Sequence, residues 1–279
     1  MIYANYTQAE LDRQYDAAST VPSLEPFLER YRSESDRTRA EFPNERAAYG
    51  SHEREWLELF PAAKPDAPLF VFIHGGYWRR LSADVFSFVA GPVVRAGGAC
   101  ALLNYPLAPA ASLDEIVDAA RRGFAWAADN AQSRLNASPE RIVAGGHSAG
   151  GQLAGMIAAA TQVDLRAVFG LSGLYELEPV RRSNVNDWLH LPDAAAAERN
   201  SPAMHVPRGK PAVVAAVGQA ESDEFRRQAR VYADACTTAG LEARSLEAAG
   251  HNHYTIVLEL GDPASELTAL LRGLLGLSG

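Results

Sequence analysis

Short apolar runs alternate with helix-length segments along most of this chain. Each run is bounded by turn residues, as expected of single strands that are buried on both faces. The alternation predicts an α/β fold with a mainly parallel central sheet and helices on both of its faces. The predicted strands are PLFVFIH (68–74), GACALLNY (98–105), RIVAGGH (141–147), LRAVFGLS (165–172), PAVVAAVG (211–218) and, with a weaker pattern, LEARSLEA (241–248). The predicted helices are 82–97, 112–133, 149–161, 222–240 and 263–275.

We expect residues 1–279 to form one domain with two additions. The first ~45 residues are polar and helix-like, and Leu24, Leu28 and Tyr31 stand at helical spacing within them. They predict an N-terminal helical extension (1–45) that packs one face on the main body. Residues 174–206 interrupt the alternation and contain several polar and aromatic side chains, so we expect a lid or insertion there.

The charge pattern excludes several classes of partner. Lys and Arg number 26 against 34 Asp and Glu, for a net charge of −8, and the basic residues are scattered. Nucleic acid and anionic membranes require a basic stripe, which this sequence does not have. No stretch approaches the ~18 apolar residues of a membrane-spanning helix. We expect a small-molecule substrate, no nucleic acid and no membrane, and the oligomeric state stays open, a homodimer included.

Two features indicate the compartment. The first residues, MIYANYTQAELDRQYDA, contain neither the basic nor the apolar region of a secretory signal. Cys100 and Cys236 lie in apolar or helical surroundings, which is typical of buried free thiols. We therefore expect a cytoplasmic protein.

One serine stands among glycines where a predicted strand meets a predicted helix. The stretch GGHSAGG contains G-x-S-x-G, from Gly146 to Gly150, in the strand–turn–helix context of a nucleophile elbow. Ser148 is therefore the candidate nucleophile. The helix N-terminus behind it favours developing negative charge, and the Ala149 N–H is a candidate oxyanion donor.

A serine nucleophile needs a base and an acid that orients the base. With this elbow, the acid and then the histidine follow later in the chain. The loop QAESDEF offers Glu221, Asp223 and Glu224, and the loop HNHYTIV offers His251 and His253. The chemistry locates these two loops and leaves the choice within them open.

The glycines of HGGYW directly follow a strongly apolar strand. Without side chains, Gly75 and Gly76 let backbone N–H groups approach a carbonyl oxygen, so we predict an oxyanion hole made by them and Ala149. Aromatic residues Tyr77, Trp78 and Trp188 are candidate substrate-binding residues, because they would suit an aryl group. The alternative is that these aromatic side chains pack their loops against the rest of the domain and do not contact substrate.

His251 and His253 form an H-x-H pair, which raises the question of a metal site. The sequence has no H-E-x-x-H motif and no clustered carboxylate–histidine set. We expect neither a metal nor another cofactor.

Taken together, these motifs resemble those of the α/β-hydrolase family, and within it the kynurenine formamidase (arylformamidase) group and its bacterial esterase relatives. HGGYW is the more specific signal, because the wider hormone-sensitive-lipase-like group usually reads HGGG. The matching stretches cover almost all of the chain beyond the N-terminal helices. They are HGGYW (74–78), NYPLAP (104–109), GGHSAGG (145–151), ESDEFRRQ (221–228) and HNHYTIV (251–257).

The resemblance implies the α/β-hydrolase fold and a catalytic set of Ser148, Glu221 and His253. The family usually has Asp at the position of Glu221, so this chain departs from the pattern, and Asp223 stays the alternative acid. His253 precedes an aromatic residue and an apolar helix, as the family's histidine does. His251 stays the alternative base.

The resemblance also implies an activity, the hydrolysis of the N-formyl group of an aryl amine such as N-formyl-kynurenine, a step of tryptophan breakdown. The family contains promiscuous esterases, so a carboxylesterase or amidase acting on other small acyl groups is the alternative. A catalytically silent binding protein is disfavoured by the intact catalytic set, and a metal-dependent formamidase by the missing ligands.

Overall fold

The computed structural model describes residues 1–277. The strands are β1 (Glu45–Ala48), β2 (Trp56–Phe60), β3 (Ala67–Ile73), β4 (Ala99–Leu103), β5 (Ala137–His147), β6 (Leu165–Leu171), β7 (Ala212–Gly218) and β8 (Ala243–Ala248). The α-helices are α1 (Gln8–Gln14), α2 (Glu25–Glu41), α3 (Ala90–Arg95), α4 (Leu113–Asp129), α5 (Ala131–Leu135), α6 (Ala149–Ala160), α7 (Glu178–Arg182), α8 (Asn186–Leu189), α9 (Ala194–Arg199), α10 (Asp223–Thr238) and α11 (Glu266–Leu275). Short 3₁₀ segments cover Ala17–Thr20, Ala83–Val89, Pro202–Met204 and Val257–Gly261.

These strands form one 8-stranded sheet in the order β1-β2-β4-β3-β5-β6-β7-β8. Strand β2 is antiparallel to both of its neighbours, and the strands from β4 to β8 pair in parallel. The prediction of a mainly parallel sheet is confirmed. Parallel strands carry their loops at one edge, so the loops after β3, β5, β6 and β7 and the loop after β8 lie at the same end of the sheet.

Helices cover both faces of the sheet, as predicted. Leu69, Val71 and Ile73 of β3 belong to a core that includes α4, α6 and α10, while Phe70 and Phe72 belong to a second core with α3 and α11. This alternation follows from the two-residue period of a strand. Every residue of β3 is buried, which explains its continuously apolar sequence.

The strand predictions omitted β1 and β2 at one edge of the sheet. The sequence of β2, WLELF, contains an acid at its centre, which breaks the apolar run. Glu58 is nevertheless buried, and its carboxylate accepts a 2.5 Å hydrogen bond from the Ser87 hydroxyl. Burial raises the pKa of Glu58. A buried acid inside a strand is uncommon because the charged form loses its hydration, so composition argues against a strand there.

Predicted helix 82–97 begins as the 3₁₀ segment Ala83–Val89 and becomes α-helical only at Ala90. Pro92 lies in the first turn of α3, where a missing backbone N–H leaves no helical hydrogen bond unmade. The predicted helix 112–133 is divided at Asn130 into α4 and α5. These differences concern boundaries and not the succession of elements.

The N-terminal segment is helical and then joins the sheet through β1. Residues 174–206 contain the short helices α7, α8 and α9, with Leu174, Leu177 and Val180 fully buried. Among residues 1–277, no helix has the length and apolarity required to cross a bilayer.

Candidate active site

Ser148 occupies a strained turn between β5 and α6. Its backbone has φ 56° and ψ −122°, and its N–H donates to the Leu171 carbonyl at 2.8 Å. The flanking glycines are required by close approach: a Cβ on Gly146 would lie 2.3 Å from the Gly150 oxygen, and one on Gly150 would lie 2.0 Å from the Ile73 oxygen. Because glycine has no side chain, strand β5 and helix α6 can approach this closely on either side of the serine, as in a nucleophile elbow.

The structure brings Ser148, His253 and Glu221 together. The Ser148 Oγ lies 3.1 Å from His253 Nε2, and His253 Nδ1 lies 2.6 Å from Glu221 Oε2. All three residues are less than one-tenth exposed. A carboxylate can only accept, so Nδ1 carries the proton and the Nε2 lone pair faces the serine hydroxyl. This is the arrangement that lets an imidazole remove the proton of a serine.

The alternative acid and base lie elsewhere. Asp223 begins α10, is exposed, and forms an ion pair with Arg226. His251 Nε2 lies 3.7 Å from a Glu259 carboxylate oxygen. The remaining carboxylate of the loop, Glu224, is buried against Arg227. None of these side chains bonds to Ser148 or His253.

Glu221 is held by two donors in addition to His253. Its Oε1 accepts from the Ser172 hydroxyl at 2.5 Å and from the Gly218 N–H at 2.7 Å. Ser172 is fully buried and has a positive φ of 51°. Sequence reasoning missed Ser172, although it directly follows β6 at the edge of the sheet where the other site residues gather.

The predicted oxyanion loop lies against the serine. A Cβ on Gly75 would lie 3.0 Å from Ser148 Cβ. Within residues 1–277 the Gly75 and Gly76 amides have no hydrogen-bond acceptor, and Ala149 opens α6, where a helix leaves its first amides without helical partners. The amides of Gly75, Gly76 and Ala149 are therefore the candidate oxyanion donors.

His74 anchors this loop. Its Nδ1–H donates to the Gly75 carbonyl at 2.7 Å, and its ring stacks on Tyr105 at a centroid distance of 4.3 Å. Complete burial lowers the pKa of His74 to about 4, so the imidazole is neutral at pH 7. Its contribution is to the geometry of the loop.

A third histidine, His147, supports the base. Its Nε2–H donates to the backbone carbonyl of His253 at 2.8 Å, and the two rings are 4.8 Å apart. Burial lowers the pKa of His147 well below its usual value, so it is neutral. Within residues 1–277, no three His, Cys, Asp or Glu side chains are grouped as metal ligands would be.

Of the predicted aromatic residues, only Tyr77 lines the cleft at Ser148. Its hydroxyl donates to the Tyr15 carbonyl at 2.5 Å. Trp78 is fully buried and donates from Nε1 to the Gln152 side chain at 3.0 Å, so the turn directs it into the core. Trp188 packs edge-on against Tyr77 and under the Arg79 guanidinium, outside the cleft lining.

The cleft that contains Ser148 has a volume of about 520 Å³ including its open mouth. Sequence reasoning missed most of its wall, which comes from segments far apart in the chain. The helix α2 side is tied to the histidine loop, because Tyr31 Oη donates to the Tyr254 carbonyl at 2.6 Å. The additional lining residues are Leu24, Leu28, Tyr31, Arg80, Leu81, Phe86, His147 and Tyr254.

Comparison with known proteins agrees with this geometry. A family model described as the alpha/beta hydrolase fold matches residues 70–257. A kynurenine formamidase of Danio rerio is 32% identical over 243 residues, covering 82% of this chain and 81% of that protein. A carboxylic ester hydrolase of Mycobacterium tuberculosis, LipN, is 33% identical over 98 residues, covering 35% of this chain and 26% of that protein.

A solved structure from Silicibacter sp. TM1040 superposes with a TM-score of 0.82 at 28% identity, covering 93% of this chain and 98% of the other. The family match spans the elbow, the oxyanion loop and both later loops of the site. The resemblance seen in the motifs is confirmed. The chain belongs to the alpha/beta hydrolase fold family, in which the kynurenine formamidases are its homologues.

Proposed function

We propose that this protein is a serine hydrolase that removes the formyl group from an aryl formamide such as N-formyl-kynurenine. The observation that carries the proposal is the hydrogen-bonded series Ser148, His253 and Glu221 at the base of a largely apolar cleft. The similarity to a kynurenine formamidase over most of both chains supports the choice of substrate.

In the first half of the reaction, His253 Nε2 takes the proton of Ser148 as Oγ attacks the formyl carbon. The resulting oxyanion accepts hydrogen bonds from the amides of Ala149 and of Gly75 or Gly76. His253 then donates its proton to the aryl amine nitrogen, the C–N bond breaks, and the formyl group stays on Ser148 as an ester.

In the second half, a water molecule replaces the amine. His253 takes a proton from this water, whose oxygen attacks the formyl ester. The second tetrahedral intermediate collapses, Ser148 regains its proton, and formate leaves. Glu221 orients the imidazole and stabilises its protonated form in both halves.

The wall of the cleft supports an aryl leaving group. Tyr31, Tyr77, Phe86 and Tyr254 all line it. Aromatic side chains favour offset or edge-on packing with another ring and contribute ~0.5–1.5 kcal/mol beyond the area that they bury. A flat aryl amine suits such a wall better than a branched polar group does.

The compartment of this activity is part of the proposal. Cys100 and Cys236 are free and buried. Free thiols are typical of a reducing compartment, which supports the cytoplasm as the place of the reaction.

A second candidate function is the hydrolysis of small acyl esters or other amides. Ester hydrolysis and amide hydrolysis pass through the same kind of tetrahedral intermediate. The similarity of one segment of the chain to a carboxylic ester hydrolase favours this second candidate. The discriminating measurement is kcat/KM for N-formyl-kynurenine beside kcat/KM for p-nitrophenyl acetate, with Ser148→Ala as the blank. We expect saturable formamide hydrolysis that the blank lacks. Turnover of the ester with no turnover of the formamide would select the second candidate.

A further inference from the structure

Arg80 is the one permanently charged side chain that lines the cleft within residues 1–277. The chain contains 34 acidic residues, yet no Asp or Glu is among the lining residues. The remaining wall is mainly aliphatic and aromatic. A cleft in an acid-rich protein that presents a single cation and no acid favours an anionic ligand over a cationic one.

The Arg80 guanidinium has no protein partner. No carboxylate of residues 1–277 lies within 4 Å of it, and its side chain donates no hydrogen bond there. The neighbouring Arg79 differs, because its guanidinium lies 4.0 Å from the ring centroid of Trp188. All donors of the Arg80 guanidinium are therefore available to a ligand.

The backbone of Arg80 is fixed to the oxyanion loop. Its N–H donates to the Gly76 carbonyl at 3.1 Å. Gly76 has φ +118°, and a Cβ there would lie 2.1 Å from the Arg80 oxygen. The turn that presents the predicted oxyanion donors thus also sets the position from which the Arg80 side chain reaches the cleft.

We propose that Arg80 selects substrates that carry a carboxylate at the end of a side chain on the aryl ring, beside the scissile formamide. This inference rests on the function proposed above. In N-formyl-kynurenine this side chain is on the ring carbon next to the formamide. We infer that, with the formyl carbon at Ser148, the side chain extends toward Arg80, which is exposed and lines the same cleft. A guanidinium presents paired donors whose spacing matches the two oxygens of a carboxylate.

The test compares N-formyl-kynurenine with its carboxamide, which keeps the formamide and replaces the carboxylate by a neutral group of similar size. The wild-type protein is expected to prefer the carboxylate by about fivefold or more in kcat/KM, as for a partly solvated charge pair. In Arg80→Gln the ratio falls to about one, and in Arg80→Lys part of it is retained. Comparing ratios between proteins cancels the intrinsic reactivity of the two substrates.

Arg79→Gln is the matched control, because it removes an adjacent exposed arginine that does not line the cleft. The preference persists in this control and weakens as salt is raised. A preference that survives in Arg80→Gln, or that Arg79→Gln removes equally, overturns the assignment.

An ester pair separates this inference from the function on which it rests. The probes are 2-acetoxyphenylacetate and its amide, in which the side chain is ortho to the scissile group, as it is in N-formyl-kynurenine. If both formamides are inert and the ester pair still shows an Arg80-dependent preference, the formamidase proposal fails and the selection by Arg80 stands. Loss of both the formamide reaction and the ester preference would overturn both.

Discussion

The Ser172 hydroxyl donates a 2.5 Å hydrogen bond to Glu221 Oε1, and the other oxygen of that carboxylate meets His253 Nδ1 at 2.6 Å. The serine therefore limits rotation of the carboxylate about its last torsion. A glutamate side chain has one more torsion than an aspartate side chain, so a second hydrogen-bond donor restricts the carboxylate that faces His253. Ser172 is a positioning residue for Glu221.

Ser172→Ala should lower kcat by about tenfold with little change in KM, since one hydrogen bond to a charged group is worth ~1.5–3 kcal/mol and the Gly218 N–H remains. Ser183→Ala is the matched control, because its buried hydroxyl donates to the Val180 carbonyl away from the site. Steady-state kinetics of both variants measure kcat and KM, and urea unfolding measures the stability of each variant. Equal kcat values in the two variants would assign Ser172 a purely structural role.

Ser148→Ala should reduce kcat by ~10⁴ or more while the protein stays folded, because the nucleophile is lost and the elbow keeps its glycines. Circular dichroism checks the fold, and a fluorophosphonate probe should label the wild-type protein but not the variant. Retention of most activity in Ser148→Ala would exclude a serine mechanism.

The choice of acid is tested by two amide substitutions. Glu221→Gln should lower kcat by ~10³–10⁴, by analogy with other triad acids, because the histidine loses the partner that fixes its tautomer. Asp223→Asn should cost less than ~10-fold, since that side chain is 69% exposed and pairs with Arg226. Kinetics in the reverse order would show Asp223 to be the acid.

Gly75→Ala should lower kcat by ~10²-fold or more, because its Cβ would lie 2.9 Å from the His147 oxygen and would displace the oxyanion loop. Gly273→Ala is the control, as a Cβ there meets nothing within 4 Å and α11 gains an alanine. That control should keep its kcat and gain ~1 kcal/mol of unfolding free energy. Unchanged kcat in Gly75→Ala would remove this loop from the oxyanion hole.

Acid should destabilise the protein through His74. Its pKa is about 4 when folded, against ~6.5 when unfolded, so below pH 6.5 the unfolded state binds a proton that the folded state does not. The loss begins near pH 6.5, grows as pH falls, and levels off below pH 4 at up to ~3 kcal/mol for this group. Urea unfolding at pH 7.5, 6 and 5 should show a smaller decline in His74→Gln than in the wild type. Parallel pH profiles would contradict the neutral, buried state of His74.

The fold was largely readable from the sequence because buried parallel strands leave long apolar runs. β3 and β7 follow this rule, and both were predicted. The antiparallel strand β2, between β1 and β4, was not predicted, because Glu58 interrupts its apolar run. The Ser87 hydroxyl that compensates this buried carboxylate lies in the 3₁₀ segment Ala83–Val89. The residues around Glu58 in the sequence do not predict a partner that is distant along the chain.

The site was only partly readable for a related reason. The G-x-S-x-G motif predicted Ser148, and the order of acid and histidine after it predicted the loops that contain Glu221 and His253. Tyr31 and Leu28 carry no motif, and they reach the cleft only because α2 packs there. Trp78 is the opposite case, because it was predicted to bind substrate and does not line the cleft. Its neighbour Tyr77 does line the cleft. Both residues have positive φ, and the indole of Trp78 points into the core. Sequence adjacency does not decide which way a side chain points from such a turn.

The hydrogen bond from Tyr31 to the Tyr254 carbonyl joins positions 223 residues apart in the chain. Closing so long a loop is entropically costly and tends to be late in folding. During synthesis the first helices emerge long before the segment that they must meet, so the cleft has no complete wall until the last tenth of the chain is available. In refolding, substrate turnover should therefore recover after the central sheet has formed. Enzymatic activity then measures the completion of folding, and not only the formation of the sheet.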